Sequence, residues 1–256
     1  MQTALIGYSG FVGGNILLQK KFTDLYNSSN IRTIKGKSYD LLVCAGAPAE
    51  KWKANEQPKR DLDNINMLIS CLSKSKAKKF ILISTADVYP NPNKVDEDSK
   101  IDESLLQPYG KHRYLLEKFV TRNFFESFII RLSGLFGKGL KKNFIYDLLN
   151  DHALDYTHKD SRFQYYSLED IWKDIEVVLS KNIHLINFAT EPVRASEVAR
   201  NCFKINFFNV TQKNPVNYDL RSKHSSYFSS NKGYLYSKRE IYKKLKKFIK
   251  NYDQNL

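Results

Sequence analysis

The chain has 256 residues, 42% of them hydrophobic, and a formal net charge of +14. That length suffices for a substantial core, and no apolar run approaches the ~20 residues that a bilayer span needs, so no membrane partner is expected. The charge favours an anionic partner, but no recognised nucleic-acid module is present, and nucleic acid is not the expected ligand.

Cys44, Cys71 and Cys202 are odd in number and far apart, and the histidines show no ligand spacing. Neither a disulfide framework nor a metal centre is expected. The short apolar start has no basic region ahead of it and runs straight into glycines. It reads as a strand and not a signal peptide, which makes the expected location cytoplasmic.

The first predicted strand, around Ala4, Leu5 and Ile6, meets Gly7, Gly10 and Gly13 at intervals of three, and a helix is predicted over 11–20. Glycine lets such a turn take positive φ and lets backbone approach a ligand closely. The first amides of the helix, at Phe11, Val12 and Gly13, would face an anion such as a pyrophosphate. An ordinary strand-to-helix turn would carry the same glycines. A short second strand over 23–26 leads into a turn over 27–30. Dinucleotide folds hold the adenosine ribose with an acidic residue about 20 positions past the first glycine. Here that position falls near Asn27, and the stretch to Tyr39 has no carboxylate but has Arg32, Lys35 and Lys37. The cofactor choice between NAD and NADP stays open.

The run over 39–48 is an unbroken apolar strand ending in Ala45, Gly46 and Pro48, as expected of a parallel strand buried on both faces. Small residues at its end leave room for a cofactor against the backbone. An amphipathic helix is predicted over 58–76, with Asn64 on it, and another buried strand over 79–90 ends in Ser84, Thr85, Asp87 and Tyr89. This alternation predicts a doubly wound parallel α/β sheet, Rossmann-like, whose ligand lies outside the carboxyl ends of the strands.

A helix follows, beginning Pro108-Tyr109-Gly110 and containing Arg113 and Glu117. The three glycines, the Ser84-Thr85-Ala86-Asp87-Val88-Tyr89 stretch and this helix together resemble the extended short-chain dehydrogenases/reductases, specifically the nucleotide-sugar epimerase/dehydratase family. The resemblance implies Thr85, Tyr109 and Arg113 as catalytic residues, with Arg113 standing where the family has lysine. It implies Gly7, Gly10, Phe11, Val12, Gly13, Ala45, Gly46, Asn64, Ser84, Arg113 and Leu132 as cofactor-binding residues. Leu132 belongs to a stretch, 128–137, that looks like the fifth core strand and its exit. Further strands are expected near 163–170 and 186–189. Asp87, Lys141, Asn143 and Arg162 are candidates for the substrate, the last three where the family binds the nucleotide diphosphate and where surface charge would look the same. Domain boundaries follow at 1–138 for the cofactor domain, with strands near 163–190 returning to it, and at 139–256 for a smaller substrate lobe.

The chemistry of this constellation is legible. A tyrosine hydroxyl has an ordinary pKa of about 10, so it serves as a base only where a cation favours its phenolate. One helical turn separates residues 109 and 113 and puts both on one face. Arginine supplies the charge, but its planar fork does not replicate lysine. The dehydratases of the family carry two carboxylic residues right after the threonine; Ala86 replaces the first, which disfavours 4,6-dehydration. The resemblance therefore implies an NAD(P)-dependent oxidoreductase or epimerase of a nucleotide sugar, acting through a keto intermediate in bacterial surface-glycan biosynthesis; the alternatives are a cofactor-binding protein without turnover and a nucleic-acid-binding protein. A homodimer is the assembly it suggests. Tyr114 and Lys118 repeat the same four-residue spacing and are a decoy for the catalytic pair. Near the end, apolar residues at helical spacing with lysines between them, over 241–250, read as a terminal helix with a solvated basic face.

Overall fold

The apolar runs become strands of one six-stranded sheet in the computed structural model, which describes residues 1–229 and 232–252. Strands β1 (Thr3–Ile6), β2 (Asp24–Tyr26), β3 (Ser38–Cys44), β4 (Lys76–Thr85), β5 (Glu126–Leu132) and β6 (Leu185–Phe188) stand in the order β6-β5-β4-β3-β1-β2. β1 runs parallel to both β2 and β3, with Leu5 opposite Leu25 on one side and Val43 on the other. β3 runs parallel to β4, with Cys44 opposite Leu82. The chain therefore steps outward from β1 in one direction to β2 and returns across it to β3. Such a reversal opens a crevice at the strands' carboxyl ends, where ligands of doubly wound sheets bind.

Helices α1 (Phe11–Leu17), α2 (Lys51–Glu56), α3 (Pro58–Leu72) and α4 (Pro108–Asn123) accompany this sheet. α3 and α4 both begin with proline, which fits the first helical position because no intrahelical N–H is needed there. The core of this part joins Leu42, Phe80 and Leu82 of the sheet to Ile65, Leu68 and Leu72 of α3 and Leu116 and Val120 of α4. α3 stops four residues short of its predicted end. β3 pairs Ser38 with Lys76, so the polar residues before the apolar run are drawn into β4. α2 is not predictable from its polar, aromatic and charged residues.

Two units make up the chain. The first comprises Met1–Asn91, Lys100–Arg131 and Ile171–Ile186. The second comprises Pro92–Ser99, Leu132–Asp170 and Asn187–Leu256, of which residues 230–231 and 253–256 lie outside the described residues. The chain leaves the first unit after Arg131, earlier than the expected boundary at 138, because the residues after β5 pair elsewhere: Gly134–Phe136 runs parallel to Tyr165–Ser167.

The second unit is built from short paired strands around buried aromatics, among them Phe136, Tyr166 and Phe188. The strand expected over 163–170 is interrupted at Gln164, whose buried amide donates to the carbonyls of Thr190 and Leu220 and accepts from the Leu220 amide. The terminal helix, Lys238–Lys250, starts earlier than its apolar pattern suggests because Ser237 and Glu240 form a reciprocal capping box. Lys244 and Lys247 on it pair with Asp170 and Glu169, so part of its basic face is neutralised. Among the described residues, no helix is long and apolar enough to cross a membrane.

Candidate active site

The glycine turn is shaped by backbone meeting backbone. Gly7 has φ +85°, and a Cβ there would overlap the Ala45 carbonyl. A Cβ on Gly13 would overlap the Gly7 carbonyl. These two glycines are required for β1, α1 and the exit of β3 to pack. A side chain at Gly46 would press on Ile6, with its Cβ 2.7 Å from Cγ2. Gly10 differs. It is exposed, a Cβ there would meet only the Gly7 oxygen at 3.3 Å, and α1 starts after it with no side-chain cap. The amides of Phe11 and Val12 follow on the same half-exposed turn.

Asn27, at the end of β2, donates to the Tyr8 hydroxyl at 3.2 Å and accepts from the amide and hydroxyl of Ser29. It ties the glycine loop to the turn after β2. Asp24, the nearest carboxylate, starts β2 and is held by the Tyr39 hydroxyl at 2.6 Å and by Lys37 at 3.0 Å. The bond from Tyr39, then that from Lys37, holds its carboxyl below the ordinary value.

At the end of β4, Thr85 caps a short 3-10 turn, accepting from the Asp87 amide at 3.2 Å. Its hydroxyl lies 3.3 Å from Asp87 Oδ2, and Asp87 Oδ1 pairs with Lys51 Nζ at 2.5 Å. The start of α4 comes so close to this turn that a Cβ on Gly110 would overlap the Asp87 carbonyl. Glycine after the tyrosine is thus the condition for bringing the start of α4 up to the turn that Thr85 caps. The Tyr109 amide is fixed by Asn55 Oδ1 of α2 at 3.0 Å. Burial pushes the Tyr109 phenol above its ordinary value, and the nearby Arg113 charge opposes that rise.

Arg113 lies with its guanidinium carbon 4.0 Å from the centre of the Tyr109 ring, and it is only 3% exposed. One terminal nitrogen donates to Asp61 Oδ2 at 2.5 Å and to the Tyr109 carbonyl at 3.2 Å. The other donates to the Pro48 carbonyl at 2.5 Å and to Asp61 Oδ1 at 2.9 Å. His112 Nδ1 meets the same Asp61 at 2.7 Å. Burial alone would raise the Asp61 carboxyl, but Arg113 and His112 outweigh it and hold the pKa below its ordinary value. The terminal nitrogens of the guanidinium are thus all engaged by the protein itself.

The Ser84 hydroxyl is likewise engaged within the protein. Its hydroxyl donates to Glu117 Oε1 at 2.5 Å, and Arg131 closes on Glu117 at 2.6 Å and on the Tyr89 hydroxyl at 2.7 Å. All four side chains are buried. The network bolts α4 to β4 and β5, which keeps Tyr109 in register with Thr85. Asn64 is exposed on α3, and Leu132 is buried at the end of β5. In the second unit, Asn143 caps the helix Phe144–Asn150 by accepting from the amides of Ile145 and Tyr146, and it donates to the Leu135 carbonyl. One amide group thus fills both needs at that turn. Lys141 and Arg162 are exposed.

Sequence reading did not single out Lys51, Asn55, Asp61 or His112. A signal existed for Asp61: it shares the buried face of α3 with Ile65, Leu68 and Leu72, and a carboxylate on a core-facing stripe needs a partner.

Comparison with known proteins follows this geometry. Residues 20–154, just over half of the chain, match the model of the NAD dependent epimerase/dehydratase family; the glycine turn lies ahead of the matched range. The UDP-glucose 4-epimerase of Pisum sativum is 31% identical over 117 residues, covering 42% of this chain and 33% of that protein. The match thus spans about a third of the relative's length. The UDP-N-acetylglucosamine 4-epimerase from Methanobrevibacter ruminantium M1, solved with UDP-N-acetylmuramic acid, superposes with a TM-score of 0.75 at 15% identity, covering 100% of this chain and 99% of that one. MoeE5 in complex with UDP-glucose and NAD gives 0.74 at 14% identity and 99% of each chain. The dTDP-4-dehydrorhamnose reductase from Bacillus anthracis in complex with NADP gives 0.73 at 16% identity, over 98% of this chain and 99% of that one. At such identities the likeness shows the fold.

Proposed function

The chain belongs to the NAD dependent epimerase/dehydratase family, and from that premise we propose that it is an NAD(P)-dependent oxidoreductase or epimerase of a nucleotide-activated sugar, working through a keto intermediate. The observation that carries this reading is the close approach of the Tyr109-Gly110 start of α4 to the Thr85-Asp87 turn at the carboxyl end of β4, next to the strand that flanks the sheet's reversal. Tyr109 takes a proton from a sugar hydroxyl or returns one to a carbonyl, while Thr85 hydrogen-bonds the same oxygen and orients it. The raised phenol favours the protonated form, which suits the reducing direction. Dehydration lacks its acid: Ala86 replaces one carboxylic residue, and Asp87 is engaged by Lys51 and Thr85.

The glycine turn fits a dinucleotide. Packing inside the protein accounts for Gly7 and Gly13 but not for Gly10, so what Gly10 leaves open is space on the solvent side. Gly7, Gly10, Phe11, Val12, Gly13, Ala45 and Gly46 would hold the cofactor, which supplies hydride exchange with the sugar carbon when bound. Asn27 offers no carboxylate to repel a 2′-phosphate, and Arg32 beyond it is exposed, so both NAD and NADP are taken as ligands. We assign substrate recognition to the second unit, where Lys141 and Arg162 are exposed.

A fluorescence titration with NADH and NADPH tests the reading. Gly10→Val should weaken binding at least about tenfold, ~1.4 kcal/mol, with unchanged circular dichroism; wild-type affinity in the variant would put the cofactor elsewhere. Hydride exchange is then followed as reduced-nicotinamide absorbance with UDP- and dTDP-hexoses. The enclosure of Arg113 favours one rival, a cofactor-binding protein without turnover, which predicts binding but no exchange with any of these sugars.

A further inference from the structure

Arg113 stands where the resemblance puts a working lysine, yet both of its terminal nitrogens are committed to Asp61, Pro48 and Tyr109. Its remaining Nε is buried and meets no partner. Four of its five N–H groups are therefore spent inside the protein and the fifth is buried, while Asp61 compensates its charge. A second cation, on another element, pairs with Asp87, whose carbonyl abuts Gly110 next to Tyr109. Lys51 opens α2, its side chain is 45% exposed, and its ammonium lies 2.5 Å from Asp87 Oδ1. Four residues on, Asn55 holds the Tyr109 amide, so one face of α2 carries both groups to the start of α4.

We propose that Lys51, tethered by Asp87, is the working cation of the Tyr109 site, and that this ion pair sets the charge the Tyr109 hydroxyl meets. The proposal rests on the reading of Tyr109 as the proton-transferring group. The charged groups around that hydroxyl are Arg113 from α4, Asp87 from the turn after β4 and Lys51 from α2, with Asp61 of α3 and His112 of α4 behind Arg113. Asp87 disfavours the phenolate and Lys51 favours it. Lys51 therefore neutralises a carboxylate that would otherwise oppose ionisation of Tyr109.

The test reads the tyrosine directly, without cofactor or substrate. The protein is labelled with 3,5-difluorotyrosine, whose phenol ionises nearer neutrality, and titrated by fluorine NMR; Tyr109→Phe assigns the resonance among the 16 tyrosines. Lys51→Met should raise the Tyr109 midpoint by roughly one pH unit, and Asp87→Asn should lower it. The double variant should return towards the wild-type midpoint, and Lys51→Arg should hold it there. An unmoved midpoint in Lys51→Met, a double variant that stays with Lys51→Met, or a Lys51→Arg shift as large as that of methionine would each overturn the proposal. Because no cofactor is present, failure of the wild-type protein to bind NADH and NADPH would remove the proposed function and leave this result standing.

Discussion

Helix α4 carries two tyrosines, each followed four residues later by a cation, and the two pairs live in different worlds. Arg113 lies over the Tyr109 ring and is bonded to the buried Asp61. Tyr114 and Lys118 lie partly exposed, with Lys118 bonded to both oxygens of Glu103 at 2.6 and 2.7 Å and 5.1 Å from the Tyr114 ring centre. Five residues along a helix turn a side chain by about 140° at about 3.6 residues per turn, so only one pair can face the end of β4. Spacing alone favours the second pair, whose cation is the expected lysine. Burial and the close approach at Gly110 favour the first. Identical spacing yields a solvated ion pair in one place and an enclosed, compensated charge in the other.

The largest difference should appear in stability. Asp61→Ala would leave the buried Arg113 guanidinium unpaired and should cost about 3–5 kcal/mol, whereas Glu103→Ala, which frees a surface lysine, should cost about 0–1 kcal/mol. Urea unfolding of both variants measures this, and equal losses would erase the distinction. The acid limb carries the same signature. The folded Asp61 pKa is depressed, so its contribution is fully present above the unfolded value of about 3.9 and is lost as pH falls through the folded value. The stability gap between wild type and Asp61→Asn should therefore close at acid pH below that point.

Turnover sharpens the comparison next. Tyr109→Phe should slow a single turnover at least roughly a hundredfold, in the range for loss of a general acid/base, with cofactor affinity nearly intact. Tyr114→Phe should change it little, and the reverse pattern would move the site along the helix. A smaller effect is expected from Arg113→Lys. Lysine keeps the charge but cannot bridge both Asp61 oxygens and the Pro48 carbonyl together, so stability should fall by about 1–3 kcal/mol. An unchanged unfolding midpoint would mean that the fork geometry at Asp61 is dispensable.

Much of this was open to a reader of the residues alone. The apolar runs behind Cys44 and Ser84, the glycine intervals and the Pro-Tyr-Gly helix start are local patterns, and local sterics and periodicity are enough to read them. They specify a parallel α/β sheet and point to its carboxyl ends. What tertiary structure alone decided is which groups remain open there. Arg113 is closed by Asp61, 52 residues away, and Ser84 by Glu117, 33 residues away. Lys51 reaches Asp87 across 36 residues from a helix with no amphipathic signal. For Arg113 and Asp61 the pairing forms because burial makes an uncompensated charge costly, and in every case the partner is chosen by folding, not by neighbourhood in the chain.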